Sequence, residues 1–254
     1  IMLLQMFTNP ALEPLHIYLV GNAATGKSEL CLDICKMLPN SSYAASGISR
    51  VGLLEKLFFS NIGYFFIYEF SNQISVVRSA LRESMDHRLF SIDKHGMHTQ
   101  LPAAANIIAM SNPRGDRLME GINILSQLPD DLPLISRFHL IVPFYGVSSD
   151  KYGEIAKKSK YKKDSSERTK EVFKYVFETK RNIPIVDISD SINEEIGNFI
   201  GNLQKITTKG MMVTPRLITG AQSMIAASAR LNLRTNANEK DLERVENILT
   251  QLYE

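Results

Sequence analysis

Short apolar runs alternate along the first half of the chain with stretches whose apolar residues recur at helical spacing. HIYLV, His16 to Val20, is β-rich and enters a glycine loop. After it, SELCLDICKML places Leu30, Ile34, Met37 and Leu38 on one helical face. YFFIYEFSNQ, Tyr64 to Gln73, is an apolar run that ends in an acid and then turns polar. A buried parallel strand reads this way when it delivers a carboxylate to a site at its C-terminal end. A helix is predicted from about Ile74 to His87, and two further strands at ANIIAMSN (Ala105 to Asn112) and FHLIVPF (Phe138 to Phe144). Alternation of this kind predicts an α/β fold, a parallel sheet with helices on both faces.

The pattern changes after Gly146. Residues 147–169 are polar, and KKSKYKKDSSERTK (Lys157 to Lys170) is strongly basic, which predicts a solvated linker. Its lysines interleave with Ser, Asp and Glu, and Tyr161 is its lone aromatic, so it offers no stacking platform for bases. Helical patterns follow at Lys170–Lys180, Thr214–Leu233 and Glu239–Leu252, with Asn238 placed to cap the last. The expected organisation is an α/β core over 1–146, a linker over 147–169 and a small all-helical lid over 170–254.

Composition narrows this picture only slightly. A chain of 254 residues that is 44% hydrophobic can bury a sizeable core. A net charge of +2 predicts neither nucleic-acid nor membrane binding, so any basic surface must be local. Cys31 and Cys35 lie one helical turn apart with no further ligand in sequence range, so they read as small thiols in a reducing compartment. No apolar run reaches membrane-spanning length. IMLLQMF, at the start, reads like a helix already under way, as in a segment of a longer chain.

Chemistry enters with GNAATGKS. Gly21, Asn22, Ala23, Ala24, Thr25, Gly26, Lys27 and Ser28 match G-x-x-x-x-G-K-[ST] at every fixed position. In such a loop the backbone N–H groups curl around a polyphosphate, Lys27 reaches the terminal phosphates and Ser28 can ligate Mg²⁺. ATP and Mg²⁺ are therefore the expected ligands. A nucleotide hydrolase needs two acids at the end of the partner strand, one for the metal and one for water. Glu69 is present, but Tyr68 stands in the first place, and a phenol carries no charge near neutral pH. Mg²⁺ keeps several waters and few protein ligands, so binding is expected to survive that exchange. Asn112 at a strand tip either orients a water or caps an Asn-Pro turn. Arg137, before the last strand, is either a solvated residue or one that meets a neighbouring subunit's γ-phosphate. Arg216 sits in the first turn of a helix started by Pro215.

Taken in order, these motifs resemble the AAA+ ATPase core of the minichromosome maintenance (MCM) replicative helicase family over nearly the whole chain. SNPRGDR resembles the family's sensor-1 segment, LISRF its arginine-finger signature, and TPRLITGAQSMIAASARLNLR its sensor-2 helix. VVRSALRESMDHRLFSIDKHGM resembles the helix and hairpin that follow the Walker B strand, and SGISRVGL the segment before the helix-2 insert. The resemblance implies that Glu69 polarises water, Asn112 positions it, and Arg137 and Arg216 act on an adjacent subunit's nucleotide. It also implies that Lys94, at the hairpin tip, touches DNA phosphates in a central channel without sequence preference. A homo- or hetero-oligomeric ring is expected, in the nucleus of a eukaryote or beside the nucleoid of a prokaryote or archaeon. Three departures stand out: Tyr68 for the Walker B Asp, His139 for the Asp after SRF, and too little chain between Leu53 and Tyr64 for the helix-2 insert. The alternative is an MCM-like nucleotide-binding regulatory subunit that hydrolyses weakly or not at all. A protein-remodelling AAA+ clade fits less well, given Lys94 and SRF.

Overall fold

The computed structural model describes residues 1–72, 75–94, 97–115, 117–129, 132–146, 152–153, 166–206 and 212–253. Its first unit opens with α1 (Met2–Met6), β1 (Ile17–Gly21), α2 (Lys27–Lys36), β2 (Ser41–Ala44), α3 (Arg50–Phe59) and β3 (Tyr64–Ile67). α4 (Ser75–His87), the strands β4 (Leu89–Lys94) and β5 (Met97–Pro102), and β6 (Asn106–Ser111) come next. The short helices α5 (Ile124–Gln127) and α6 (Leu132–Ile135) lead into β7 (Leu140–Phe144).

Five strands form one parallel sheet in the order β2-β3-β6-β1-β7, with helices on both sides. β1 lies between β6 and β7, Ile17 opposite both Ile108 and Leu140. Every residue of β1, β3 and β6 is buried, which is why these segments read as continuous apolar runs rather than alternating ones. β4 and β5 form a separate antiparallel hairpin.

Two strands end earlier than their apolar runs. β3 stops at Ile67 and β6 at Ser111, so Tyr68, Glu69 and Asn112 lie just beyond the sheet, at its C-terminal edge. β2 and α3 were not expected. β2 is the polar SSYA, half-buried at the sheet edge, and carries no apolar signature. Between α3 and β3 only a short turn remains, so no helix-2 insert is present there.

The second unit holds four helices among the described residues: α7 (Ser166–Asn182), α8 (Asp190–Ile206), α9 (Pro215–Leu231) and α10 (Glu239–Tyr253). α7 begins at Ser166, inside the stretch read as linker; residues 154–165 of that stretch lie outside the described residues. α8 was also unexpected. It buries Ile192, Ile196, Ile200 and Leu203 on one face, while Gly197 and Gly201, poor helix formers, weaken its local signal.

Arg230 of α9, fully buried, joins the two units. It donates to the carbonyls of Phe7 (2.5 Å) and Ile183 (2.8 Å) and to the Glu13 carboxylate (3.1 Å). Lys180 of α7 donates to the Tyr64 hydroxyl at 3.0 Å, and burial pulls its pKa down to about 7. A buried cation needs such partners to be tolerated. Cys31 is buried and Cys35 half-buried, and no cluster of metal-ligating side chains occurs among the described residues. Among those residues, no helix is long and apolar enough to cross a membrane.

Candidate functional site: a phosphate loop at the sheet edge and an arginine pair apart from it

The loop from Gly21 to Ser28 sits where β1 leaves the sheet, between its neighbours β6 and β7. Gly21 has no room for a side chain: a Cβ there would lie 2.2 Å from the Phe144 carbonyl oxygen. Ala24 (φ 59°) and Gly26 (φ 84°) take left-handed conformations that turn the loop back onto the start of α2. Asn22 braces it from outside, its Oδ1 accepting from the Leu118 N–H at 2.5 Å. Thr25 closes the turn by donating to the Asn22 carbonyl at 2.8 Å.

Lys27, the first residue of α2, is buried beneath this loop. Its ammonium donates to the carbonyls of Gly21 and Asn22, both at 2.7 Å, and to Thr25 Oγ1 at 3.3 Å. Burial pulls its pKa below the ordinary lysine value. The charge is thus held against the loop carbonyls, beside the cavity.

A cavity of about 370 Å³ opens above the loop. Ala23, Ala24, Thr25, Gly26, Lys27 and Ser28 line it on one side, and Tyr68, Glu69 and Asn112 on the other. The structure therefore gathers the loop, the acid after β3 and the amide after β6 into one site. Glu69 has a left-handed backbone (φ 45°) and accepts from Asn72 Nδ2 at 3.2 Å. Its turn is tied to β6, because the Ser71 N–H donates to Ser111 Oγ at 3.1 Å. Besides the apolar Met110, two polar lining residues escaped the sequence reading, Glu29 and Ser111. Both adjoin a motif residue, Ser28 and Asn112, and that adjacency was the available signal.

Tyr68 occupies the place expected for a metal-side acid. Its N–H extends the β2–β3 pairing to the Ala44 carbonyl (2.9 Å), and its ring stacks on Tyr43 with centroids 6.4 Å apart. The Tyr43 hydroxyl is pushed up to about 12, by burial first and then by Tyr68.

Neither Arg137 nor Arg216 lines that cavity. They meet each other instead, at Asp86 in the last turn of α4. Asp86 accepts from Arg137 Nε and Nη2 and from Arg216 Nη2, each at 2.8 Å. Burial pushes the Asp86 pKa up, but the hydrogen bonds and charges of the two arginines outweigh this and hold it below the usual value. Beside them, His139 is buried and does a structural job. Its Nδ1 accepts from the His16 N–H at 2.8 Å, and His16 Nδ1 accepts from the Ile107 N–H at 3.1 Å, linking the starts of β7, β1 and β6. Burial, with Arg216 nearby, pulls the His139 pKa down to about 4. Lys94 ends β4 opposite Met97; His95 and Gly96, which complete the expected tip, lie outside the described residues.

A family model described as the MCM P-loop domain matches residues 55–159, from α3 through β7 and beyond. The same family recurs among the curated relatives. These matches support a member of the minichromosome maintenance family. It is 28% identical over 196 residues to an uncharacterized MCM-type protein of Methanocaldococcus jannaschii, covering 69% of this chain and 28% of that protein. It is 27% identical over 275 aligned positions to the DNA replication licensing factor MCM4 of Arabidopsis thaliana, covering 92% and 31%. The minichromosome maintenance protein MCM of Saccharolobus solfataricus matches at 24% over 269 positions, 94% of this chain and 39% of that protein. The chain spans between 28% and 39% of the length of these relatives. The matched residues begin after the Gly21–Ser28 loop, and a P-loop domain of this family implies nucleotide binding.

Proposed function

We propose that this chain is an ATP-binding AAA+ subunit of a ring-shaped DNA helicase, in which ATP hydrolysis at subunit junctions drives movement along DNA. The α/β unit is the ATPase core in this reading, and the helical unit is its lid. One observation carries it: Lys27, Ser28, Glu69 and Asn112 line a single cavity at the C-terminal edge of a parallel sheet, where such folds bind ligands. The arginine pair lies on a separate surface, as residues serving another subunit's nucleotide would.

Lys27 would exchange its loop carbonyls for the β- and γ-phosphates, while loop N–H groups and the N-terminal end of α2 hold the remaining oxygens. Glu69 would accept a proton from the attacking water, which Asn112 orients. The donor set fits Mg²⁺, because Ser28 shares the cavity with the phosphate site and this ion needs few protein ligands. When bound, Mg²⁺ would neutralise phosphate charge. Two relatives bear the names DNA replication licensing factor and DNA helicase, which supports DNA as partner and a nuclear or nucleoid-associated setting. Lys94 is the proposed DNA contact.

Tyr68 favours a second reading, a subunit that binds ATP but turns it over slowly and assembles with a faster partner. Steady-state ATPase with and without single-stranded DNA, on wild type, Tyr68→Asp and Glu69→Gln, tests both. Slow turnover that rises in Tyr68→Asp and vanishes in Glu69→Gln is the expected result. Wild-type turnover that is fast and unchanged in Tyr68→Asp would remove the metal-side argument. Turnover that survives in Glu69→Gln would remove the assignment of the base.

A further inference from the structure

Asp86 divides one carboxylate between two cations drawn from three elements. It projects from the last turn of α4. Arg137 reaches it from the loop before β7, and Arg216 from the first turn of α9. One oxygen, Oδ2, takes the Nε and Nη2 of Arg137; the other, Oδ1, takes the Nη2 of Arg216. Arg137 is held a second time, because its Nη1 donates to the Pro133 carbonyl. The three side chains are 21–38% exposed, so the cluster reaches solvent while the stems are fixed.

The charge balance matters as much as the geometry. Two guanidiniums against one carboxylate leave a surplus positive charge, which suits a polyphosphate. Without the carboxylate the two cations would repel, and each long side chain would regain its rotamer freedom. A preorganised donor pair contributes more to a charged transition state than a mobile one, since no reorganisation is needed at the moment of reaction.

We propose that Asp86 is a positioning residue, whose carboxylate holds Arg137 and Arg216 as one rigid donor pair for the phosphates bound by a neighbouring copy. This rests on the reading that both arginines act on a neighbour's nucleotide. Asp86 itself touches no phosphate. A plain structural latch between core and lid would show in melting alone; a positioning residue shows in turnover at the adjoining subunit.

The test uses the whole chain with Asp86→Ala, Asp86→Asn and Asp86→Glu, beside Arg137→Ala and Arg216→Ala. Binding of a fluorescent ATP analogue, nucleotide-dependent self-association by sedimentation, and turnover per subunit are measured. Asp86→Ala and Asp86→Asn should bind the analogue like wild type and keep KM for ATP. Both should lose about tenfold or more in kcat and weaken nucleotide-dependent association. Asp86→Glu should recover most of the loss. Mixing Asp86→Ala with Lys27→Ala subunits should restore turnover, because some junctions then join an intact P-loop to an intact arginine pair. Should Asp86→Ala prove unstable, the near-isosteric Asp86→Asn decides: wild-type melting with lowered kcat supports the proposal, and unchanged kcat overturns it. If the arginine variants are defective while the Asp86 variants match wild type, the Asp86 inference falls alone. If the arginine variants also match wild type in association and turnover, the neighbour reading falls and takes the inference with it.

Discussion

Replacing Gly220 by alanine puts a methyl group into the seat of α9. Gly220 lies one turn beyond Arg216 on α9, and a Cβ there would stand 2.7 Å from His139 Cβ and 3.3 Å from its Cγ. Carbon atoms rest about 3.5–4.0 Å apart, so one partner must retreat by roughly 0.8 Å or more. His139 is not free to swing, because its Nδ1 holds the His16 N–H at 2.8 Å. The helix is not free to lift either, since Ser223 Oγ donates to the Pro14 carbonyl at 3.2 Å and Arg230 is locked against Phe7 and Glu13. Overpacking of this kind costs about 1–3 kcal/mol. Glycine to alanine inside a helix returns about 1 kcal/mol. The clash wins, with a net loss of about 1 kcal/mol and a fall in Tm of about 2–4 °C for a chain of this size. Gly201 on α8 supplies the control: it is exposed, and a Cβ there meets nothing within 4 Å. Gly201→Ala should therefore raise Tm. Thermal and urea unfolding of both variants, run together, measure the difference in sign. Should both variants shift Tm upward by the same amount, α9 does not sit against His139 as described.

Three further outcomes are expected. Lys27→Ala should weaken Mg·ATP on the order of 10–100-fold or more by calorimetry, because it removes charge-assisted hydrogen bonds to phosphate; equal affinity would remove the P-loop assignment. His139 has its folded pKa pulled down to about 4, below its ordinary value, so the unfolded chain binds the proton first. Stability is then complete above about pH 6.5 and declines as pH falls toward the folded value, by about 2 kcal/mol between pH 7 and 5. His139→Asn, which keeps an acceptor for the His16 N–H, should flatten that decline in urea titrations, and an unchanged slope refutes the cause. Lys94→Ala should lower DNA affinity and reduce the slope of log K against log salt by about 0.7–0.9 for each phosphate that lysine neutralises, while ATP binding stays intact.

What could be read in advance follows from where each signal resides. β1, β3 and β6 are buried on both faces, so their burial is written as unbroken apolar runs, and the Gly21–Ser28 loop stands out because its conformation depends on glycine at fixed places. β2 could not be seen this way, since SSYA is held at the edge by pairing Ser41 with Tyr64 rather than by apolar side chains. α8 was hidden by its two glycines, although Ile192, Ile196 and Leu203 mark its buried face. The meeting of Arg137 and Arg216 on Asp86 has no local signature at all. The three residues are distant in sequence: packing within the core brings Arg137 to Asp86, and the seating of α9 adds Arg216, each at 2.8 Å.

On the proposed function, Tyr68 separates nucleotide retention from turnover. In the proposed reading, the contacts that would retain a nucleotide come from backbone groups of the loop, from Lys27 and from the start of α2, and none of them needs a carboxylate at residue 68. The carboxylate missing there would act on the metal side of the leaving phosphate, where charge develops only as the bond breaks. In its place the ring of Tyr68 stacks on Tyr43, a pairing that contributes about 0.5–1.5 kcal/mol to the edge of the sheet. Tyr68→Asp therefore moves two quantities in opposite directions: the fold loses an aromatic pairing, and turnover gains a charge. A protein selected for holding nucleotide at a junction has use for the first and little need of the second. A protein selected for rapid cycling has the reverse. Melting temperature and kcat of the one variant, measured together, therefore report which of the two demands shaped this site.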